Sequence, residues 1–436
     1  MKIYTPFTDA LKKRNYSALL TAAAIVAVFV MLFAFGSRIQ SVRSVSRSFY
    51  ALGTVIQAEL RTSDTKEAER VFSLINAKVT EIHRMCDVNG GGELAKLNAA
   101  LRDTADSDIE VSGELYALLK LSAEYAEITD GAFDYTLGKL TDLWGMNDFE
   151  AGQPDGWKPP AEHDIAAVLP LCGYTNVTLA ERGGKYYVSS RVAGLKINLG
   201  GVAKGYAERE CAVILQSEGA LGLLNFGGNL AYVYPSTETF TLSVEAPDPG
   251  ENGGTRYTLF SCAVNGGTAA ATSGAYNRFF ESGGVKYGHI FDSKTGSPAD
   301  SVFAGVTILC GDPAIADIMS TAAYVSGEYF GYDHIGIRKS GVIDSSVPYT
   351  ASAAAVAAKT KVEVYVSGEL VRTAPLGTDT VFTVQVDGGG YNTVSISGGK
   401  VAVTDADCPD KLCVNVGYSD SLPIVCLPHR LEVVIT

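Results

Sequence analysis

The first strong pattern in the chain is an unbroken apolar run, Ala18 to Phe35 (ALLTAAAIVAVFVMLFAF), with no charged residue inside it. As a helix it is long enough to cross the hydrocarbon core of a bilayer. The pattern predicts an uncleaved transmembrane anchor over 18–36 with residues 1–17 in the cytoplasm, a cleaved signal peptide being the alternative. Lys12, Lys13 and Arg14 before the run favour that orientation, and Arg38, Arg43 and Arg47 after it oppose it only in part. Residues 37–48 then read as a polar, basic tether. Beyond it Tyr50 to Leu60 alternates as a strand, and Val71, Leu74, Ile75, Val79 and Ile82 repeat at helical spacing within Ala68 to Met85. A second helix is predicted over Gly113 to Ile128. From Tyr186 to Gly311 short β-branched and aromatic runs are cut by Gly-Gly pairs, apart from a helix-like stretch, Lys204 to Glu218. Asp317 to Tyr329 is helical again, with Pro313 near its start. Runs of strands and helices of this kind predict an α+β domain over 49–348 rather than repeated βαβ units. A linker follows over 349–360, in the Ala-rich segment ASAAAVAAK. Short alternating strands separated by Gly-rich turns make 361–436 a small all-β domain.

Composition narrows the possibilities. The chain has 436 residues, 47% apolar and 19% charged, enough for two to three domains with cores of their own, so disorder is excluded. A formal charge of -13 is opposite to what a nucleic-acid binder needs. Eight cysteines are too few for a disulfide-built scaffold, and three of them fall in the last thirty residues.

The chemistry concentrates in the α+β region. Asn198-Leu199-Gly200-Gly201-Val202-Ala203-Lys204-Gly205-Tyr206 reads as a strand ending in paired glycines with a lysine at a helix opening. Main chain freed of side chains approaches a ligand closely, the helix N-terminus favours an anion, and Lys204 adds a point charge suited to phosphate. The segment is neither a Walker A loop nor GxGxxG. A second glycine loop is Asn225-Phe226-Gly227-Gly228-Asn229, and a third stretch is Ala271-Thr272-Ser273-Gly274. Each alone also fits an ordinary turn; three together point to a pyrophosphate ligand. His289 lies where a strand ends in a turn, a position that suits proton transfer or a purely structural histidine. Asp317 and Thr321, four apart on a predicted helix, share a face and are hard oxygen donors suited to Mg²⁺. An acidic first turn with an ordinary threonine fits the same residues.

Taken in order, these segments resemble the ApbE family of FAD:protein FMN transferases. The resemblance also rests on Glu93 to Asn98, Gly131-Ala132-Phe133-Asp134, Leu143-Trp144-Gly145, His289 to Pro298 and Ala316 to Thr321. It implies a T-fold-like α+β catalytic domain that binds FAD and Mg²⁺, transfers FMN to a Thr or Ser of another protein and releases AMP. By the same resemblance Lys204 contacts the FAD phosphates, and Gly228, Asn229, Thr272 and Ser273 line the flavin pocket. Asp317, Thr321 and the carbonyl of Gly201 hold the metal, and His289 accepts the proton. The sequence departs from the family pattern at Asn198 and Arg209, each standing where an Asp is usual, and at Tyr135 and Ser293, each where a Pro is usual. The acceptor motif of such enzymes resembles Asp-Gly-Ala-Thr or Asp-Gly-Ala-Ser. Here Asp130-Gly131-Ala132 is followed by Phe133, which has no hydroxyl, so the expected acceptor is another protein. An intact-FAD electron-transfer scaffold and an FAD pyrophosphatase are the alternatives.

At the C-terminus Asp407-Cys408-Pro409-Asp410-Lys411-Leu412-Cys413 and Ile424-Val425-Cys426-Leu427-Pro428 resemble NusG domain II. Cys408, Cys413 and Cys426 fit a disulfide with one spare thiol, an inert trio, or a metal site completed by His429. With the predicted anchor, the whole implies a single-pass protein of the cell membrane whose catalytic domain is extracytoplasmic.

Overall fold

The computed structural model describes residues 42–147, 152–247, 258–276, 278–351, 361–386, 388–409, 411–419, 424–426 and 428–435. The apolar run at 18–35, residues 37–41 of the predicted tether and the segment 352–360 lie outside the described residues. Among the described residues no helix is long and apolar enough to cross a membrane.

The fold opens with β1 (Arg43–Ala51) and β2 (Thr54–Thr62), an antiparallel hairpin turning at Leu52 and Gly53, both at positive φ. The one strand expected over Tyr50 to Leu60 is thus the end of β1, a tight turn and β2. The second half of the expected tether is an edge strand, because Val45 and Phe49 alternate inward among its serines and arginines and pack on the core. Helix α1 (Thr65–Cys86) starts where the Asp64 carboxylate accepts from the Lys66 and Glu67 amides. It buries Val71, Phe72, Ile75, Val79 and Ile82. Then follow α2 (Glu93–Asp103), β3 (Ile109–Val111), α3 (Gly113–Ile128), α4 (Gly138–Leu143), α5 (Glu162–Val168), β4 (Val177–Arg182) and β5 (Lys185–Ser190).

Helix α6 (Ala203–Ser217) leads into β6 (Leu221–Phe226), β7 (Asn229–Val233), β8 (Thr239–Glu245), β9 (Thr258–Asn265), β10 (Ala269–Ser273), β11 (Phe279–Ser282), β12 (Val285–Gly288) and β13 (Phe303–Cys310). Helix α7 (Pro313–Ser326), β14 (Asp333–Arg338), β15 (Ile343–Ser345) and β16 (Tyr349–Ala351) complete the domain. Helix α7 begins four residues before the expected Asp317: Asp312 caps it by accepting from Ala314 and Ile315, and Pro313 takes the first position, where no amide is needed. It stops at Gly327, which is left-handed.

Eight strands form one sheet in the order β1-β2-β6-β7-β10-β13-β14-β15, and every pairing in it is antiparallel. Strand and helix runs packed in this way are the α+β architecture expected. Helices α1, α6 and α7 contribute Ile75, Val79, Ala207, Cys211, Leu215, Ile318 and Ala322 to one core with Ile56, Leu60, Leu224 and Phe226 of the sheet. A three-stranded sheet, β16-β9-β8, builds a second core from Leu242, Val244 and Phe260 against Tyr232, Leu309, Ile335 and Ile337. The middle of the large sheet, from β6 to β14, therefore carries apolar residues packed on both faces, and strand β10 of that part reaches the site.

Among its described residues the C-terminal region is β apart from one turn of helix. It comprises β17 (Lys361–Val366), β18 (Glu369–Pro375), β19 (Thr380–Gln385), β20 (Tyr391–Ser397), β21 (Lys400–Ala406), α8 (Leu412–Asn415), β22 (Ile424–Cys426) and β23 (Leu431–Ile435). Sheets β18-β17-β23-β22 and β19-β20-β21 enclose Val362, Val364, Val384, Val394, Val403 and Val433.

Candidate active site

Helices α6 and α7 meet where Gly205 faces Pro313 and Asp317. A Cβ on Gly205 would lie 2.5 Å from the Asp317 Cβ and from the Pro313 carbonyl, so only glycine permits this approach. The contact sets the Lys204 Nζ 3.0 Å from Asp317 Oδ1, and the Gly205 amide donates to Asp317 Oδ2 at 2.9 Å. Asp317 is 3% exposed. One helix turn beyond Lys204, the Glu208 carboxyl is buried, and its Oε1 has no hydrogen-bond partner. Burial first, and then the Asp317 charge, raise its pKa well above the usual carboxyl value, with Lys204 opposing.

Strand β10 runs alongside α7 and brings hydroxyls to the same place. Ser273 Oγ lies 2.8 Å from Ser320 Oγ and 3.3 Å from Thr321 Oγ1, and Thr272 pairs with Thr307 across β10 and β13 at 2.8 Å. Gly201 faces this cluster: a Cβ there would sit 3.7 Å from Thr321 Oγ1. The segment leading to it is extended but is not the strand expected, since Lys196 makes only an isolated bridge to Leu137. Asn198 Oδ1 accepts from the Gly200 amide and fixes the turn before the paired glycines.

His289 follows the β11–β12 hairpin. Its Nδ1 lies 3.1 Å from the Arg278 carbonyl and donates to it in the neutral tautomer that leaves Nε2 as an acceptor. Burial lowers the pKa of His289 to about 4; the hydrogen bond to Arg278 opposes this, and the nearby Arg278 and Lys204 charges add to it. The Arg278 guanidinium donates to the Gly53 carbonyl in the β1–β2 turn.

Lys204, Asp317, Ser273, Thr321, His289 and Arg278 line one cavity of about 500 Å³, within the range of small-molecule sites, and Glu208 lies behind its wall. Its wall includes Gly201, Lys204, Thr272, Ser273, His289, Asp317 and Thr321, seven of the residues proposed from sequence. Gly228 and Asn229 do not line it; Gly227 does. Gly227 and Gly228 form the turn between β6 and β7 at φ +68° and +104°, and Asn229 is buried behind that turn with its Nδ2 unpartnered. Phe133 and Asp134 form another part of the wall. Asp134 accepts from the Thr136 hydroxyl and the Thr136 and Tyr174 amides, while Trp144 Nε1 donates to the Gly296 carbonyl behind them.

Sequence reasoning missed Glu208 and Arg278. Glu208 stands four residues after Lys204 on one helix face, a spacing that could have marked it. Arg278 carries no local signal, since only the β11–β12 hairpin brings it to His289.

The donor set fits a hard divalent cation. A buried carboxylate and a threonine hydroxyl are oxygen donors of the kind such an ion takes, and the buried Glu208 carboxyl feels the Asp317 charge with Lys204 opposing it.

Comparison with known proteins agrees with this geometry. The ApbE family model matches residues 52–342, and the NusG domain II model matches residues 341–436. The chain is 31% identical over 286 residues to an FAD:protein FMN transferase of Rhodobacter capsulatus, covering 65% of this chain and 52% of that protein, about half its length. It is 30% identical over 302 residues to an FAD:protein FMN transferase of Treponema pallidum, covering 66% of this chain and 80% of that one. A crystal structure of an ApbE protein from Thermotoga maritima superposes with a TM-score of 0.61 at 29% identity, covering 70% of this chain and 97% of that one.

Proposed function

The chain belongs to the ApbE family, and on that premise we propose that it is an FAD:protein FMN transferase. In this reading the hydroxyl of a Thr or Ser in another protein attacks the FMN phosphorus of FAD. The bond from that phosphorus to the AMP oxygen breaks, the hydroxyl proton passes to a base, and AMP leaves. The observation that carries the proposal is the convergence of Lys204, Asp317, Thr321, Ser273 and His289 on one cavity.

Each residue has a physical part. The Lys204 ammonium offsets charge that builds on the pyrophosphate as the bond breaks. His289 Nε2 accepts the hydroxyl proton, and the Arg278 carbonyl fixes the tautomer that makes this possible. Asp317, Thr321 and the Gly201 carbonyl are the residues that would hold Mg²⁺. Once bound, the ion would supply Lewis-acid neutralisation of phosphate oxygens. Thr272 and Ser273 present hydroxyls to the flavin end. The acceptor is a separate protein with a segment like Asp-Gly-Ala-Thr. This chain's own Asp130-Gly131-Ala132 runs into Phe133, which is a buried part of the cavity wall.

The apolar run at 18–35 supports a single-pass anchor that holds the catalytic domain on the extracytoplasmic side, where the acceptor would be a membrane-associated redox protein. Digestion of intact cells by an added protease tests that placement, since a cytoplasmic domain would survive it.

The decisive assay incubates the chain with FAD, Mg²⁺ and an acceptor bearing Asp-Gly-Ala-Thr. The expected result is acceptor mass increased by one FMN less one water, together with one equivalent of AMP. AMP without modified acceptor would instead make the chain a pyrophosphatase, and intact bound FAD without AMP would make it a scaffold.

A further inference from the structure

The C-terminal domain carries a second cluster of chemistry, remote in sequence from the flavin site. Cys408 follows β21, Cys413 lies in α8 and Cys426 ends β22, so three separate elements deliver three sulfurs to one place. The sulfurs all lie within 4.8 Å of one another, each residue is 1% exposed, and Cys408 and Cys413 are 3.6 Å apart. All eight cysteines of the chain are unbonded. His429 does not join the sulfurs as the sequence had suggested. Its Nδ1 lies 2.6 Å from Asn392 Oδ1, and the fully buried Asn392 donates from Nδ2 to Cys413 Sγ at 3.6 Å. On its far side His429 Nε2 lies 3.4 Å from Asp407 Oδ1, which also accepts from the Tyr391 amide at 2.6 Å.

Three thiols closed together in a dry core call for an explanation. A disulfide consumes two and leaves the third buried beside it. A thiophilic cation uses all three: metal–sulfur bonds of about 2.3 Å at tetrahedral angles set sulfurs about 3.8 Å apart, the scale of this triangle. The Asp407–His429–Asn392 chain behind Cys413 has the form of an outer shell that orients a ligand sulfur by an N–H hydrogen bond. Sulfur-only donors select soft d¹⁰ ions over Mg²⁺ or Ca²⁺.

We propose that Cys408, Cys413 and Cys426 form a trithiolate site for one soft metal cation, of the Zn²⁺ or Cu⁺ class, in the C-terminal domain. Each metal–sulfur bond forms as the thiol proton leaves to solvent, with no change of oxidation state. The site is independent of the flavin reading, since no atom of it belongs to the cavity between α6 and α7.

The test uses the full chain, reduced, desalted anaerobically and kept in excess Mg²⁺ to occupy oxygen sites. Zn²⁺ and Cu⁺ are titrated in separate arms, with bound metal measured by elemental analysis after gel filtration and thiols mapped by alkylation and mass spectrometry. The expected result in at least one arm is one equivalent of metal, protection of Cys408, Cys413 and Cys426 from alkylation, and loss of the bound metal in Cys426→Ser. Asn392→Ala should weaken binding about 10- to 100-fold while keeping the stoichiometry. No retained metal in either arm would overturn the site, as would stoichiometry unchanged in Cys426→Ser, or a Cys408–Cys413 disulfide in the isolated chain with no metal uptake after its reduction. Should Cys426→Ser fail to fold, alkylation of the native chain still decides: unchanged reactivity of the three thiols with metal present counts against the proposal.

Discussion

Lys204 and Asp317, 113 residues apart in the chain, stand 3.0 Å apart at the floor of one cavity, and the glycine between their helices is what lets them meet. Asp317 has two tasks there, because its second oxygen takes the Gly205 amide. Substitutions at 317 should therefore separate. Asp317→Asn keeps an acceptor for that amide and should fold normally while losing on the order of 10² to 10³ in transfer rate. Asp317→Ala also strands a buried donor and should lose a further 1–3 kcal/mol or so of stability. Thermal melts and single-turnover transfer assays on the two variants check this; equal melting temperatures would remove the structural task.

His289 sets the acid limb. Its pKa is lowered to about 4 from an ordinary 6.5, so the imidazole is neutral from pH 6 to 8 and able to accept a proton throughout. The pH profile of kcat/KM should be flat across that range and fall only towards pH 4. The same shift has a stability consequence. A depressed pKa means that the unfolded chain binds the proton first, so stability is full above about pH 6.5 and declines as pH falls towards 4, by on the order of 3 kcal/mol. His289→Gln should lose turnover but retain FAD binding, and should flatten that acid decline. A kcat/KM inflection near 6.5 in the native protein would contradict the assignment.

How much of this was legible in the chain depends on what each residue's signal is made of. Helices α1, α3, α6 and α7 could be read because an apolar stripe at helical spacing is a local property, as is the proline at the start of α7. Lys204, Asp317 and His289 could be nominated because the surrounding glycines and the spacing to Thr321 are local too. That they face one cavity could not be read, since this requires β10, α6 and α7 to be neighbours, and pairing order in an antiparallel sheet leaves little trace in sequence. The same reason hid Arg278, which acts through a hairpin partner eleven residues away. Gly228 and Asn229 stand apart from the other residues nominated: the glycine pair forms the β6–β7 turn, and of that turn Gly227 reaches the cavity wall. Strand β1 was missed because an edge strand needs only one apolar residue in four, here Val45 and Phe49, and the arginines between them read as a tether.

Glu208 should behave in the sense opposite to His289. Its pKa is raised well above the usual carboxyl value, chiefly by burial, so in the metal-free protein the folded chain holds the proton to higher pH than the unfolded chain does. Its stabilising contribution is present below about pH 4.5 and is lost as pH rises through the folded value. Glu208→Gln removes that dependence. In EDTA the variant should therefore melt higher than the native chain at pH 8 and close to it at pH 5. A lower melting temperature for Glu208→Gln at pH 8 would mean that the carboxylate is ionised and paired, and the account of its burial would have to be abandoned.

Gly205→Ala tests the helix contact that underlies the site. The added Cβ would lie 2.5 Å from a main-chain carbonyl and from the Asp317 Cβ, distances that no rotamer change can relieve because one neighbour is backbone. The helices must separate, at about 1–3 kcal/mol for overpacking. Separation moves the Lys204 ammonium off Asp317 and opens the cavity floor, so transfer should fall by at least the loss seen for Asp317→Asn even though every polar group is still present. Ala207→Gly, on the same helix but with its side chain in the core behind the site, provides the comparison. It should destabilise α6 by roughly 1 kcal/mol through helix propensity and lost packing while largely sparing transfer. If both variants lose activity in proportion to their melting temperatures, general loosening of α6 explains the effect and the close contact has no special role; if only Gly205→Ala does, the distance between the helices controls the chemistry.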